Sequence, residues 1–294
     1  MTVNAGILCL NKPPGITSRD AVNIVQRLAR PLKVGHAGTL DPAAQGVLVV
    51  CVGRATRLIP FIHELPKSYL ATFLLGRSSP TDDMEAEVTP FEGGNIPALD
   101  AVRAALPRFL GRIEQRPPDY SAVKIAGRRA YDLARRGKTV ELRPRTVEIY
   151  RIELIRYEYP ELELRVECGS GTYIRALGRD LAIALGTRAV MAALLRTAIG
   201  EFRVENAVAP RALDRENWQA FLRPAREAVR HLPSLRPPED DLRRLRNGGM
   251  IPVDLTLPVG TRIAVLDKQN ELVGICETVE RNIAKPLINI MGEG

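Results

Sequence analysis

Residues 35–48 read Gly-His-Ala-Gly-Thr-Leu-Asp-Pro-Ala-Ala-Gln-Gly-Val-Leu and run directly into the apolar stretch Val47-Leu-Val-Val-Cys-Val52. This junction constrains the fold more than any other part of the chain. A short, unbroken apolar run is the pattern of a strand covered on both faces, because a half-exposed strand would alternate. Upstream of it, Gly35, Gly38 and Gly46 admit backbone conformations closed to other residues. Pro42 restricts its own φ and pushes the residue before it away from the helical region. Asp41 is thus a carboxylate in a braced loop at the mouth of a core strand. An isolated Asp-Pro reads as a turn whose side chain satisfies nearby amides; other segments of the chain argue for a site.

Around this junction the hydrophobic period changes repeatedly. Gly6–Leu10 reads as a strand, and Thr17 or Ser18 can cap a helix whose Val22, Val25 and Leu28 share a face before Pro31 stops it. Ala55, Leu58, Ile59 and Ile62 form a helical stripe, and Tyr69, Ala71, Phe73 and Leu75 alternate as a strand. Residues 76–96 read as an acidic loop, Leu99, Val102, Leu106 and Phe109 as a helix, and 145–168 as two β runs broken at Tyr159-Pro160. Gly171-Thr172 opens a helix through Leu185, with Ile174, Leu177, Leu181 and Leu185 inward and Arg175 near its start. Strands and helices are mixed without regular βαβ alternation, so the expected class is α+β around one large mixed sheet. An amphipathic stretch from about Arg211 to Arg230 precedes the linker Leu232-Pro-Ser-Leu-Arg-Pro-Pro238, where a domain boundary is expected. Beyond it, Arg262–Leu266 and Glu271–Thr278 flank Asp267–Asn270 as a hairpin, with a further strand over Pro286–Met291.

The chain carries 42 Lys+Arg against 34 Asp+Glu, a net +8. From Asp240 onward 7 basic and 8 acidic residues nearly cancel, so the excess lies upstream. It concentrates over 112–145, where ten basic side chains face four acidic ones, and this is the expected phosphate-facing region. On charge alone the same residues would make a solvated face. Cys9, Cys51, Cys168 and Cys276 are far apart and three lie in apolar runs, which favours reduced core thiols and a reducing compartment. Three dispersed histidines and no close cysteine pair give a metal site little to build from, so none is expected. The N-terminus lacks a basic region with a long apolar run, and nothing approaches the ~20 apolar residues of a membrane span; a cytoplasmic protein with no membrane partner is expected.

The segment His36-Ala-Gly-Thr-Leu-Asp-Pro-Ala-Ala-Gln-Gly-Val-Leu resembles the signature of the TruB-type tRNA pseudouridine synthases. Leu10-Asn-Lys-Pro-Pro-Gly-Ile-Thr-Ser18 is similar to the family's N-terminal lysine-proline-glycine segment, and Lys67-Ser-Tyr69 to its tyrosine strand. Gln115-Arg-Pro-Pro-Asp-Tyr-Ser-Ala-Val-Lys124, with Gly127, Tyr131 and Ala134-Arg135, resembles its RNA-contacting insertion. Gly169-Ser-Gly-Thr-Tyr-Ile-Arg175 is similar to the segment that supplies its active-site arginine. These matches fall in order over residues 6 to about 200.

The resemblance implies a catalytic domain over 1–232, with an RNA-binding insertion at about 76–145, and a small C-terminal PUA-like β domain over 239–294. It implies a mainly antiparallel sheet flanked by helices, the pseudouridine synthase fold. The implied reaction isomerises a uridine, at position 55 in the T loop of tRNA, without cofactor or guide RNA, and the implied state is a monomer. Asp41 matches the essential aspartate, as nucleophile on the sugar or as base at C2′; both routes stay open. Arg175 matches its arginine partner and Tyr69 the tyrosine that stacks on the target base, although spacing alone reads them as a helix-surface arginine and a core tyrosine. His36 matches the wedge that fills the gap left by the flipped base. Lys12, Lys124, Arg128, Arg129 and Arg135 would hold backbone phosphates, Tyr120 and Tyr173 would contact RNA, and Leu194 would line the uracil pocket. Leu195 stands where members often show a second arginine. A binding module that refolds RNA, and the guide-RNA-dependent branch of the superfamily, are the rival readings.

Overall fold

The computed structural model describes residues 5–118, 124–125, 128–129, 143–253 and 257–290. In chain order the elements are β1 (Ala5–Lys12), α1 (Ser18–Leu28), β2 (Val34–Ala37), β3 (Gln45–Gly53), α2 (Ile59–Glu64), β4 (Lys67–Leu75), β5 (Arg77–Ser78), β6 (Thr89–Pro90) and α3 (Leu99–Ala105). There follow β7 (Gly111–Gln115), β8 (Lys124–Ile125), β9 (Arg128–Arg129), β10 (Arg145–Glu158), β11 (Glu161–Cys168), α4 (Ile174–Ala184), β12 (Ala189–Ile199) and β13 (Phe202–Arg203). The last are β14 (Ser234–Leu235), α5 (Glu239–Arg246), β15 (Ile251–Pro252), β16 (Arg262–Leu266), β17 (Leu272–Glu280) and β18 (Ile283–Asn289). This is the α+β class around a mixed sheet that the period changes predict, and its strands are mainly antiparallel, as the resemblance implies. The chain divides into two compact units, one of residues 1–42, 47–64 and 201–294, the other of 43–46 and 65–200.

In the first unit, β1 and β2 both pair with β3, and β3 is buried from Gly46 to its end, as its apolar run requires. Leu8 and Leu10 of β1 share a face, as do Leu48, Val50 and Val52 of β3, since strand side chains alternate. These faces meet Ala21, Val22 and Val25 of α1, and Leu213 and Trp218 close the cluster. Thr17 is the helix cap: its hydroxyl accepts from Asp20 N at 3.1 Å and the Asp20 carboxylate accepts in return from Thr17 N at 2.9 Å, a capping box. The amphipathic stretch 211–230 folds as separate 3-10 turns, Pro210–Ala212, Trp218–Phe221 and Ala225–Val229. Pro224 supplies no amide hydrogen, and Asp214 Oδ1 accepts from the backbone of Glu216 and Asn217, so the helix ladder is interrupted twice.

Residues 234–253 and 257–290 of this unit carry a five-stranded sheet, in the order β14-β16-β17-β18-β15, with its own core of Leu242, Leu245, Ile263, Val265 and Val273 among others. The predicted hairpin is present; Asp267 accepts from the amides of Gln269 and Glu271, and Asn270 adopts a φ of 65°. Helix α5 begins with Glu239, Asp240 and Asp241 and ends with Arg243, Arg244 and Arg246, complementing its dipole at both ends. Arg262 pairs with Glu64 at 2.9 Å and lies over the Phe61 ring, and Arg57 donates to Asn289 O at 2.6 Å.

The second unit is an antiparallel sheet ordered β12-β4-β11-β10-β7. Gln45 and Gly46 add a short parallel pairing with Leu195 and Arg196. Gly46 holds φ at +107°, and a side chain there would run into the Arg196 carbonyl, so only glycine lets the backbones approach. Helix α4 lies on β4 through Gly178, whose missing Cβ leaves room for the Phe73 ring.

Candidate active site

The first unit carries Lys12, His36 and Asp41. Asp41 is half-buried, and the chain on both sides of it is fixed by the segment 12–18. Before it, the buried Ser18 hydroxyl accepts from Leu40 N at 2.8 Å and donates to Leu40 O at 3.0 Å. After it, the Pro42 carbonyl accepts from Gly15 N at 2.9 Å and from Lys12 Nζ at 3.2 Å. Lys12 also donates to Pro13 O and Ile16 O, at 2.9 and 2.8 Å, and is 0% exposed. The expected phosphate contact by Lys12 is therefore corrected: a fully buried ammonium directed at three carbonyls braces the Asp41 loop from inside. His36 lies in β2 opposite Val50 of β3, half-buried.

The second unit carries Tyr69, Tyr173, Arg175 and Leu194. Tyr69 on β4 is opposite Val166 on one side and Arg196 on the other; Leu194 of β12 is opposite Ala71, and the side chains of Tyr69 and Leu194 are buried. Arg175 sits in the first turn of α4 and is 7% exposed. Its Nη1 donates to Asp83 Oδ2 at 3.0 Å and to Thr81 O at 2.9 Å. The other Asp83 oxygen accepts from Thr81 Oγ1 at 2.5 Å and from Glu85 N at 3.0 Å, so the carboxylate is a buried, multiply bonded anchor for the guanidinium. One turn along α4, Arg179 pairs with Asp82 at 3.0 Å. Burial pushes the Asp82 carboxyl up from its ordinary value, against the pull of Arg179. The start of α4 is held by Gln115 on β7, whose side chain accepts from Tyr173 N at 2.8 Å and donates to Tyr173 O at 3.1 Å.

Asp83 holds Arg175 and Gln115 holds the backbone of Tyr173, two contacts that the sequence pattern does not single out. Asp83 lies in a stretch that reads as solvated acidic loop; what fixes it is the bond from Met191 N to Asp82 O, which lays the loop along β12. A signal exists all the same: Arg175 and Arg179 fall four apart on one helix face, which calls for two adjacent anions, and Asp82-Asp83 supplies them. Beside Tyr69, Lys67 and Arg196 are also buried. Burial, then the Arg196 charge, lowers the Lys67 ammonium to about 8. All four cysteines are buried, and burial lifts the Cys168 thiol to about 11. Tyr120 and Arg135 lie outside the described residues, as do the side chains of Lys124, Arg128 and Arg129, whose backbone forms the β8–β9 pair.

The family model described as "TruB family pseudouridylate synthase (N terminal domain)" matches residues 26–174. The chain is 39% identical to the tRNA pseudouridine synthase B of Caulobacter vibrioides, over 93% of this chain and 92% of the relative. It is 42% identical to that of Dehalococcoides mccartyi, over 85% of each. Among solved structures, a Cbf5-Nop10-Gar1 complex matches with a TM-score of 0.77 at 27% identity, covering 99% of this chain and 86% of that one. The chain belongs to the TruB family of pseudouridylate synthases and is an isomerase. Among the described residues, no helix is long and apolar enough to cross a membrane.

Proposed function

We propose that the chain is a stand-alone tRNA pseudouridine synthase that isomerises the uridine at position 55 in the T loop, with Asp41, Tyr69 and Arg175 as its catalytic set. The observation that carries this reading is the correspondence, along more than nine-tenths of both chains, with a protein named tRNA pseudouridine synthase B. The reaction breaks the N1–C1′ bond, turns the base, and forms C5–C1′ while the C5 proton is lost and N1 gains one. No atom is gained and no electron leaves, so the work falls on placed side chains. Asp41 attacks C1′ or takes a proton at C2′; the clamped loop supports either, because each needs a carboxylate held within a fraction of an ångström. Arg175, fixed by Asp83, supplies a rigid guanidinium that holds negative charge in one orientation during the reaction. Tyr69 stacks on the flipped uracil, Leu194 lines its pocket, and His36 fills the gap left in the RNA, offsetting part of the few kcal/mol of lost stacking. Tyr120, Lys124, Arg128, Arg129, Arg135 and Tyr173 hold the T arm. We further read 1–232 as the catalytic domain and 239–294 as a PUA-like domain; the separate core around Leu242 and Val265 supports the latter.

The test is pseudouridine formation in an unmodified tRNA and in its T-arm hairpin, with wild type and Asp41→Asn and without guide RNA. Wild type should convert one uridine, and the variant should lose roughly a thousandfold or more in turnover. Binding without conversion by wild type would favour an RNA-binding module, and conversion only with a guide RNA would favour the guide-dependent branch.

A further inference from the structure

Thr17 and Ser18 are adjacent hydroxyl residues at one helix start, and either could cap it from sequence alone. The structure separates their work. Thr17 makes the capping box with Asp20, at 3.1 Å and 2.9 Å. Ser18, the first residue of α1, is 2% exposed and turns its hydroxyl away from the helix. That one hydroxyl satisfies both backbone groups of Leu40, accepting at 2.8 Å and donating at 3.0 Å. Leu40 is itself buried and directly precedes Asp41.

We infer that Ser18 is a positioning residue for the reaction, setting the direction in which Asp41 leaves the loop. The inference rests on the catalytic reading of Asp41. Its physical basis is a two-point clamp: an acceptor and a donor on the same side chain fix both the position and the rotation of the Leu40 peptide units. Pro42, on the far side of Asp41, is fixed by Gly15 and Lys12 at 2.9 and 3.2 Å. Asp41 therefore has pinned peptides on both flanks, and the flank before it is pinned through the Ser18 hydroxyl. Removing the hydroxyl leaves two buried backbone groups to find new partners, which they do by moving the loop. A displacement of about an ångström at a catalytic group can cost on the order of a hundredfold in rate.

The experiment compares wild type, Ser18→Ala, Ser18→Thr, Thr17→Ala and Asp41→Asn on the T-arm hairpin, measuring kcat, KM and thermal midpoint for each. Ser18→Ala should lose about ten- to a hundredfold in kcat with KM within about twofold of wild type. Ser18→Thr, which keeps the hydroxyl, should recover most of the loss. Thr17→Ala should lower the thermal midpoint through its lost cap with kcat near wild type, which separates loop placement from helix stability. Ser18→Ala at wild-type kcat, with Asp41→Asn inactive, would overturn this inference alone. So would a loss of activity by Ser18→Ala and Thr17→Ala that merely tracks their loss of stability. An active Asp41→Asn would instead remove the reading on which the inference rests.

Discussion

Asp41 and Arg175 are both set by their surroundings, but by different physics. The Asp41 loop is held through its neighbours' backbone, by the hydroxyl of Ser18, the amide of Gly15 and the ammonium of Lys12 acting on Leu40 and Pro42. Arg175 is gripped at its charged end by a second buried charge, Asp83, at 3.0 Å. Backbone clamps spread the task over several bonds, worth about 0.5–1.5 kcal/mol net for the neutral ones and about 1.5–3 kcal/mol for that of the Lys12 ammonium. An ion pair concentrates much of it between two buried charges, each costly without the other. The loop should thus fail gradually and the arginine abruptly.

The most severe challenge to that contrast is Asp83→Ala, which leaves the Arg175 guanidinium buried beside a void. We expect about 3–5 kcal/mol lost in urea unfolding, together with most of the turnover. A loss below about 1 kcal/mol would mean that Arg175 relaxes to water and that the two regions are held alike. Gly46→Ala comes next, since the new methyl meets the Arg196 carbonyl where φ is +107°. The expected cost is about 1–3 kcal/mol, read as a lower thermal midpoint. A neutral outcome would show that the short β3–β12 pairing is dispensable.

Smallest is a pH effect at Lys67. Its folded value of about 8 lies below the ordinary 10.5, so between these the unfolded chain holds a proton that the folded chain sheds. The wild type therefore carries the full penalty below about pH 8 and sheds it as pH rises towards 10.5. The buried thiols act in the opposite sense above about pH 9, because Cys51, Cys168 and Cys276 are raised to about 12, 11 and 12. Comparing the chain with its Lys67→Met variant, both in a Cys168→Ser background, cancels Cys51 and Cys276 and removes the one thiol that is coupled to Lys67. The stability of the Lys67→Met chain relative to its Lys67 counterpart should fall as pH climbs from about 7 to about 9.5, and a flat difference would assign Lys67 a neutral or fully compensated environment.

Much of this is legible in the residues because periodicity reports burial. The continuous run at 47–52, the alternation from Tyr69 to Leu75 and the stripe through Ile174, Leu177 and Leu181 each became the predicted element. The Gly- and Pro-braced loop at Asp41 is equally plain. What escapes a reading of spacing are features that depend on tertiary burial of polar groups. Asp83 looks like any loop carboxylate until the chain lays it beside Arg175, and Lys12 looks like a phosphate ligand until its ammonium is enclosed by three carbonyls. The stretch 211–230 has apolar spacing but Pro224 within it, and spacing does not reveal that the ladder breaks there. Helix α5 has only Leu242 and Leu245 as an apolar stripe, too short to announce a helix, although its acidic start and basic end are a helix signature.

The contact of Gly178 with Phe73 has an evolutionary consequence. The aromatic ring serves as a shim that sets how high α4 rides over β4, and so how far Arg175 stands from the strand that bears Tyr69. Neither partner is then free to vary alone: a methyl at 178 lifts the helix, and a smaller residue at 73 lets it sink. A double replacement such as Gly178→Ala with Phe73→Leu trades ring for methyl and should recover what each single change loses. Among relatives the two positions are expected to drift together, as one inherited thickness rather than two residues.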